Sequence, residues 1–280
     1  LDKYGTVQGI NDAMGTGISG VGVTDFNINN VIVRRSTMDN LNLSGASGTA
    51  MLTDSRFVDA TLSNAVIAGS TLDVSILNNV FNDAMGGHGL DMDLTGDLSG
   101  TIDNNIANRN GNNDHDGFQI AAANFTGDFT NNTARDNDDD GIEWDVTGTL
   151  DGNYTGNIAT GNGDDGHDLD IGTVAAGSQF AMNNGNANDE NGFQIDVTTF
   201  NGTFDDNTAN NNGDNGVLWS GTSFNGPSFS DNTANDNDDN GFSITLDSVT
   251  GNALFNNNRA NDNGDGIGDD NGILMNVAAF

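Results

Sequence analysis

The chain has 280 residues, 34% of them hydrophobic, with 39 glycines, one proline and no cysteine. Its 41 acidic residues against 7 basic ones leave a formal charge of −34. That balance excludes nucleic acid, for want of a basic stripe to neutralise phosphates, and disfavours an anionic membrane surface; the missing cysteines exclude disulfides and thiolate metal sites.

In chain order, residues 1–22 come first and read as an N-terminal cap or arm, "LDKYGTVQGINDAMGTGISG". Leu1 is not an initiator, so the chain reads as a mature or trimmed product. From Val23 onward one domain is expected to run to Phe280. The stretches "FNINNVIVRRSTMDNLNLSG" and "RFVDATLSNAVIAGSTLDVSI" alternate apolar and polar residues as strands do. No apolar run approaches the length of a membrane span. One coil shows at Ile76, with Asn79, then Gly89, Leu90, Met92 and Leu94.

A longer phrase then repeats every 24 to 27 residues. Its apolar anchors are Ile102, Phe129, Tyr154, Phe180, Phe204, Phe229 and Phe255. Three residues past every anchor stands Asn, from Asn105 and Asn132 to Asn258, and eight past it stands Asn again, from Asn110 and Asn137 to Asn263. Ala, or Gly185 once, lies between. An acidic turn follows and closes on Gly117, Gly141, Gly166, Gly192, Gly216, Gly241 and Gly272. Beyond each glycine the pattern alternates, as in Phe118/Ile120, Ile142/Trp144 and Phe242/Ile244. A second apolar point comes next, at Phe125, Leu150, Phe200 and Phe224.

Each copy thus holds about three short strands and three corners, too little to bury its own apolar face unless copies stack. Stacked strands sit ~4.8 Å apart, so equivalent residues form columns. Asn columns can chain their amides from coil to coil, whereas carboxylates at that spacing would repel. The stretch "NNTARDNDDDGIEW" resembles the repeat of the right-handed parallel β-helix, the pectin-lyase-like group. The expected fold is an all-β, right-handed parallel β-helix of about ten coils of about 25 residues.

The acidic turns are the candidate chemistry. "DNDDDG" offers Asp136, Asp138 and Asp140, and "DNDDNG" offers Asp236, Asp238 and Asn240. "NNDHDG" adds Asp114 and Asp116, and "DDG" adds Asp164 and Asp165. The spacing D-x-D-x-D/N-G opens calcium loops of the EF-hand type. Thr147 and Asp247 stand where that loop needs its Glu, so remaining ligands must come from a neighbouring coil or water. Solvated Asx-rich corners use the same residues. On the outward strip, Asp145, Asp170 and Asp196 would stack at coil spacing, a repulsion that Ca²⁺ would relieve.

These features point to an extracellular or cell-surface structural protein, stabilised by Ca²⁺ and stacking head-to-tail with its own copies into a fibre, the arm helping the joint. The alternative is a polysaccharide-active, glycoside hydrolase-like or glycan-binding module using the Glu143/Asp145/Asp168/Asp170 strip, since many relatives of the resembled fold act on acidic polysaccharides. "GHG" at Gly87–Gly89 and "DDG" are similar to polygalacturonase motifs. Their order is reversed, however, and no basic "RIK" follows. His88 reads as a surface ion pair with Asp116, His167 as a hydrogen-bonded core residue, and His115 as part of a turn. Trp144 and Trp219 read as stacked core.

Overall fold

The computed structural model describes residues 10–112, 114–250, 253–264 and 271–279. Among them every regular element is a β-strand. In one coil Phe118–Ala122 forms a first face, Phe125–Thr130 a second and Thr133–Arg135 a third. After the turn at 136–141 the chain repeats with Ile142–Thr155, which runs through both of the first two faces, and then Ile158–Thr160. Each strand pairs in parallel with its equivalent one coil on: Phe118 with Ile142, Phe129 with Tyr154, Ala134 with Ala159. The whole is a parallel β-solenoid of about ten turns of about 25 residues. Of the expected arm, Ile10–Asn11 and Ile18–Val21 already pair with the following coil; residues 1–9 lie outside the described ones.

The core follows from the alternation. Phe118, Ile120, Phe125, Phe129, Trp144 and Tyr154 are all buried. The anchors stack face to face along the axis, Phe129 on Tyr154 and Tyr154 on Phe180, with centroids 5.4 Å apart in both pairs. Such pairs add ~0.5–1.5 kcal/mol beyond area burial.

Two Asn columns close the corners. Asn132 Oδ1 accepts both the backbone N–H and the Nδ2 of Asn105, each at 3.0 Å. Asn132 Nδ2 donates in turn to Asn157 Oδ1 and back to Ile102 O. The same pattern links Asn110, Asn137 and Asn162. Each ladder Asn follows a residue in the left-handed region: Asn131 and Asp206 for the first column, Asp136 and Asp236 for the second. Asn, Asp and Gly tolerate that conformation best, which accounts for part of the Asn/Asp richness of the turns. The turn glycines serve a different purpose. A Cβ on Gly141 would lie 2.6 Å from Asn162 Nδ2 and 2.7 Å from both Ala159 Cβ and Gly166 O, so glycine and the small residue opposite let the coil close.

The third face is the plainest. One outward column runs Ile32, Arg56, Val80, Ile106, Thr133, Ile158, Asn184, Thr208, Thr233, Arg259. Beside it run Arg34, Val58, Asn82, Asn108, Arg135, Thr160, Asn186, Asn210, Asn235 and Asn261.

The ladder predicts an asymmetry between Asn and its isostere. Asp at position 157 would lose donation to Asn183 Oδ1 (3.1 Å) and Phe129 O (3.0 Å) and face both with an acceptor. Urea unfolding of Asn157→Asp should show a loss of ~3 kcal/mol or more, and exposed Asn30→Asp a change within ~0.5 kcal/mol. Equal effects would refute the ladder's role.

Candidate metal centre

A third ladder occupies the position just before the turn glycine, and its composition changes along the rod. In the later coils it is amide: Asn215 donates its N–H and Nδ2 to Asn191 Oδ1, and Asn240 does the same to Asn215. In the middle coils acids replace the amides. The Asp140 N–H reaches Asp116 Oδ1 at 3.1 Å, the Asp165 N–H reaches Asp140 Oδ1 at 2.8 Å, and the Asn191 N–H reaches Asp165 Oδ1 at 2.6 Å. One coil earlier the acceptor is His88 Nδ1, which takes the Asp116 N–H at 3.0 Å. Asp116, Asp140 and Asp165 are only 2%, 7% and 3% exposed. A carboxylate accepts as an amide does but offers no donor. Three successive coils therefore bury acids in a column built for amides.

Neighbouring acids compound the problem. On the first face Glu143 pairs in register with Gln119 on one side and Asp168 on the other. Gln119 Nε2 donates to Glu143 Oε2 at 2.8 Å, and Glu143 lies close enough to Asp116 to act on its carboxyl. Burial, then the Glu143 charge, pushes the Asp116 carboxyl up to about 9. Burial between Asp116 and Asp165 pushes Asp140 up to about 10. Burial likewise raises Asp164 and Asp165 to about 7 and Asp168 to about 6. At neutral pH Asp116 and Asp140 call for a proton or a cation.

The D-x-D-x-D spacing does not gather its acids along one loop. Asp136 and Asp236 sit exposed at left-handed corners, Asp138 and Asp238 are exposed, Asp140 is buried in the third ladder, and Asn240 continues that ladder. Exposed Asp114 is also left-handed. Convergence happens across coils instead. Ligand atoms of Asp139, Asp140 and Asp164 lie within 4.8 Å of one another, as do those of Asp164, Asp165 and Glu190. Asp164 belongs to both groups, and its Oδ1 is buried without a hydrogen-bond partner. An all-oxygen donor set with an orphaned oxygen at its centre fits a hard cation such as Ca²⁺, completed by water or backbone oxygens. Asp145, Asp170 and Asp196 do align in register on the exposed strip. Burial, then the Asp145 charge, raises Asp170.

The histidines sort differently. His88 does meet Asp116, Nδ1 to Oδ2 at 3.2 Å, but the pair is largely buried rather than on the surface; the same Nδ1 accepts the Asp116 backbone N–H, and burial lowers the His88 pKa. His115 lies edge-on to it, centroids 4.7 Å apart. His167 is a core residue, bonded to Tyr154 Oη at 2.7 Å and to Asn184 O at 3.1 Å, with burial holding its pKa down to about 3. Sequence reasoning missed Asp139 and Glu190 as partners of Asp164, and missed the third ladder. The signal was available in the residues before the turn glycines, which read His, Asp, Asp, Asp, Asn, Asn, Asn from His88 to Asn240.

No protein-family model matches the chain, and no curated protein matches it. Among solved structures it is similar to the A-module of the mannuronan C-5 epimerase AlgE6 of Azotobacter vinelandii, at 15% identity and a TM-score of 0.43. The alignment covers 96% of this chain and 79% of that one. Nothing about the site carries across at that level of similarity.

The buried acids predict an inverted pH dependence. A carboxyl whose pKa rises on folding holds its proton more tightly folded than unfolded. Stability is then lost as pH climbs from the unfolded value of ~3.9 through the folded one. The loss should pass through the region of Asp168, Asp164 and Asp165, at about 6 to 7, and continue toward Asp116 and Asp140, at about 9 to 10. With chelator present, the melting temperature should fall between about pH 5 and about pH 9, and Ca²⁺ should restore it more at the alkaline end. A melting temperature that rises with pH in chelator, or ignores Ca²⁺, would overturn the assignment.

Proposed function

We propose that the acidic strip is a cation-assisted, polysaccharide-active site, glycoside hydrolase-like in its use of two carboxyls. The change of the third ladder from amide to acid and imidazole, in the coils that also carry Glu143 and Asp168, is the observation that supports it. A local rule broken at one place, at a cost to stability, is the usual mark of a functional site. Glu143 and Asp168 stand opposite each other on adjacent strands, a spacing of ~5 Å that suits a retaining pair. Glu143 is half-buried, and buried Asp116 lies beside it. In this reading Glu143 is the general acid and base, Asp168 the second carboxyl, and Asp116 a positioning residue beside Glu143.

The strip runs along the rod, which suits an extended polymer rather than a small molecule. The likeness of the repeats to the pectin-lyase-like group points the same way. Asp139, Asp140, Asp164, Asp165 and Glu190 would hold calcium. Bound there, the ion would supply positive charge to a face that otherwise repels an acidic glycan. An extracellular or cell-surface setting goes with this reading, since calcium is abundant there.

A panel of neutral and acidic polysaccharides, assayed for new reducing ends with Ca²⁺ and with chelator, tests it. Glu143→Gln and Asp168→Asn should each lower turnover by ~10²–10⁴-fold. Glu143→Gln should also raise the melting temperature above neutral pH, because it removes a like charge beside Asp116. No turnover on any polymer, or turnover unchanged in both variants, would sink the proposal.

A further inference from the structure

The corner that joins the third face to the first changes character along the rod. Its positions stack coil on coil through backbone bonds: the N–H of Thr37 to Ala13 O, Thr61 to Ser36 O, Met85 to Ala60 O, Gly111 to Ala84 O and Asp138 to Asn110 O. From Asp138 onward successive coils carry an acid at this corner, through Asp164, Asp189 and Asp214 to Asp238. The earlier coils place Met14, Met38, Leu62 and Met85 there instead, with no charged residue at these positions before Asp114. All four side chains are exposed, from 40% to 96%. One corner is thus apolar along its first half and acidic along its second, and a contiguous exposed apolar strip marks an interaction surface.

We propose that a second copy of the chain lies on this apolar half, antiparallel, about a two-fold axis that crosses the corner between Met38 and Leu62. The acids select the direction. Parallel copies would set Asp138, Asp164 and Asp189 of each rod against the same residues of the other. Antiparallel copies overlap only along the apolar coils, and each acidic half runs on past the first coil of its partner. The axis places Met38 opposite Leu62 and Met14 opposite Met85, thioethers that adapt readily to one another. Charge complementarity agrees. Arg35 and Asp59 are exposed at equivalent left-handed corner positions one coil apart, so the axis brings each opposite the other, twice by symmetry. Arg35 commits Nε and Nη2 to Asp12, which leaves Nη1 to donate to Asp59. Asp12 and Asp83 also come to face each other, and each is already neutralised, by Arg35 and by Arg109. The overlap spans ~14 Å from its first coil to its last, a short contact that makes the dimer reversible. Glu143 stands two coils beyond Asp91 on the first face, so it lies outside the overlap and the acidic strip stays open.

Sedimentation velocity of the full chain over a concentration series tests this. Monomer and dimer are expected, and nothing larger. Dimer should gain as salt rises from ~0.01 M to ~0.15 M, because screening relieves repulsion between copies of charge −34 and leaves the apolar contact intact. Met38→Glu/Leu62→Glu should be monomeric throughout, and the milder Met38→Ser/Leu62→Ser should shift the concentration dependence by ~10-fold or more with an unchanged melting curve. Disulfides test the direction, since the chain has no cysteine of its own. Mixed and oxidised, Met14→Cys and Met85→Cys should cross-link to each other. Neither should cross-link to itself, because like positions lie ~14 Å apart and a disulfide needs Cα atoms within ~7 Å. The proposal is overturned if the wild type stays monomeric, if the Ser variant dimerises like it, or if the cysteine variants join only to themselves. It is equally overturned if the strip instead carries the monomer onto phosphatidylcholine vesicles.

Discussion

A buried asparagine side chain can give and accept hydrogen bonds at once, and the stacking of this chain depends on that capacity. In the first two ladders each Oδ1 takes two N–H groups from the coil before, while Nδ2 gives to the coil after and back to an anchor carbonyl. Corners are where a solenoid would otherwise strand backbone donors away from water, at ~1–3 kcal/mol each. Once the corners are satisfied, the coils close so tightly that a Cβ on Gly141 would meet Ala159 Cβ at 2.7 Å. The register is then fixed, and the anchors fall face to face on Tyr154 and Phe180.

The third ladder shows what happens when half of that capacity is withdrawn. Aspartate preserves the accepting half, so Asp116, Asp140 and Asp165 still bind the next coil's N–H. The giving half is gone, and a proton or cation must take its place. The scaffold is therefore unchanged in shape where it is most changed in chemistry. Along the rod a uniform backbone carries an amide-lined region and an acid-lined region.

Most of the fold was legible because it is periodic. Anchor, Asn, small residue, Asn and glycine recur at fixed offsets, and each offset has a physical reason that the structure bears out. The site was less legible for the opposite reason. The triplet at Asp136, Asp138 and Asp140 looks like a calcium loop along the chain, yet a left-handed corner at Asp136 and a ladder position at Asp140 send the side chains to different places. Asp139 and Glu190 join Asp164 only through stacking, a relation between residues about 25 apart that no local motif records. Placing Glu143 and Asp168 on one outward column was possible from alternation alone. The charge state of Asp116 behind them was not, since it depends on burial.

The amide part of the third ladder also bears on how the molecule ages. Asn191, Asn215 and Asn240 each precede a glycine, the pairing in which an amide is most readily lost through attack by the following backbone nitrogen. In the folded rod those nitrogens are occupied: the N–H of Gly192 binds Asn215 O at 3.0 Å, and that of Gly216 binds Asn240 O at 2.9 Å. Folding thus protects the very bonds on which the ladder rests. A molecule held unfolded would convert these positions to aspartate, and would return to its coils with carboxylates where it needs amides, a chemical record of time spent open.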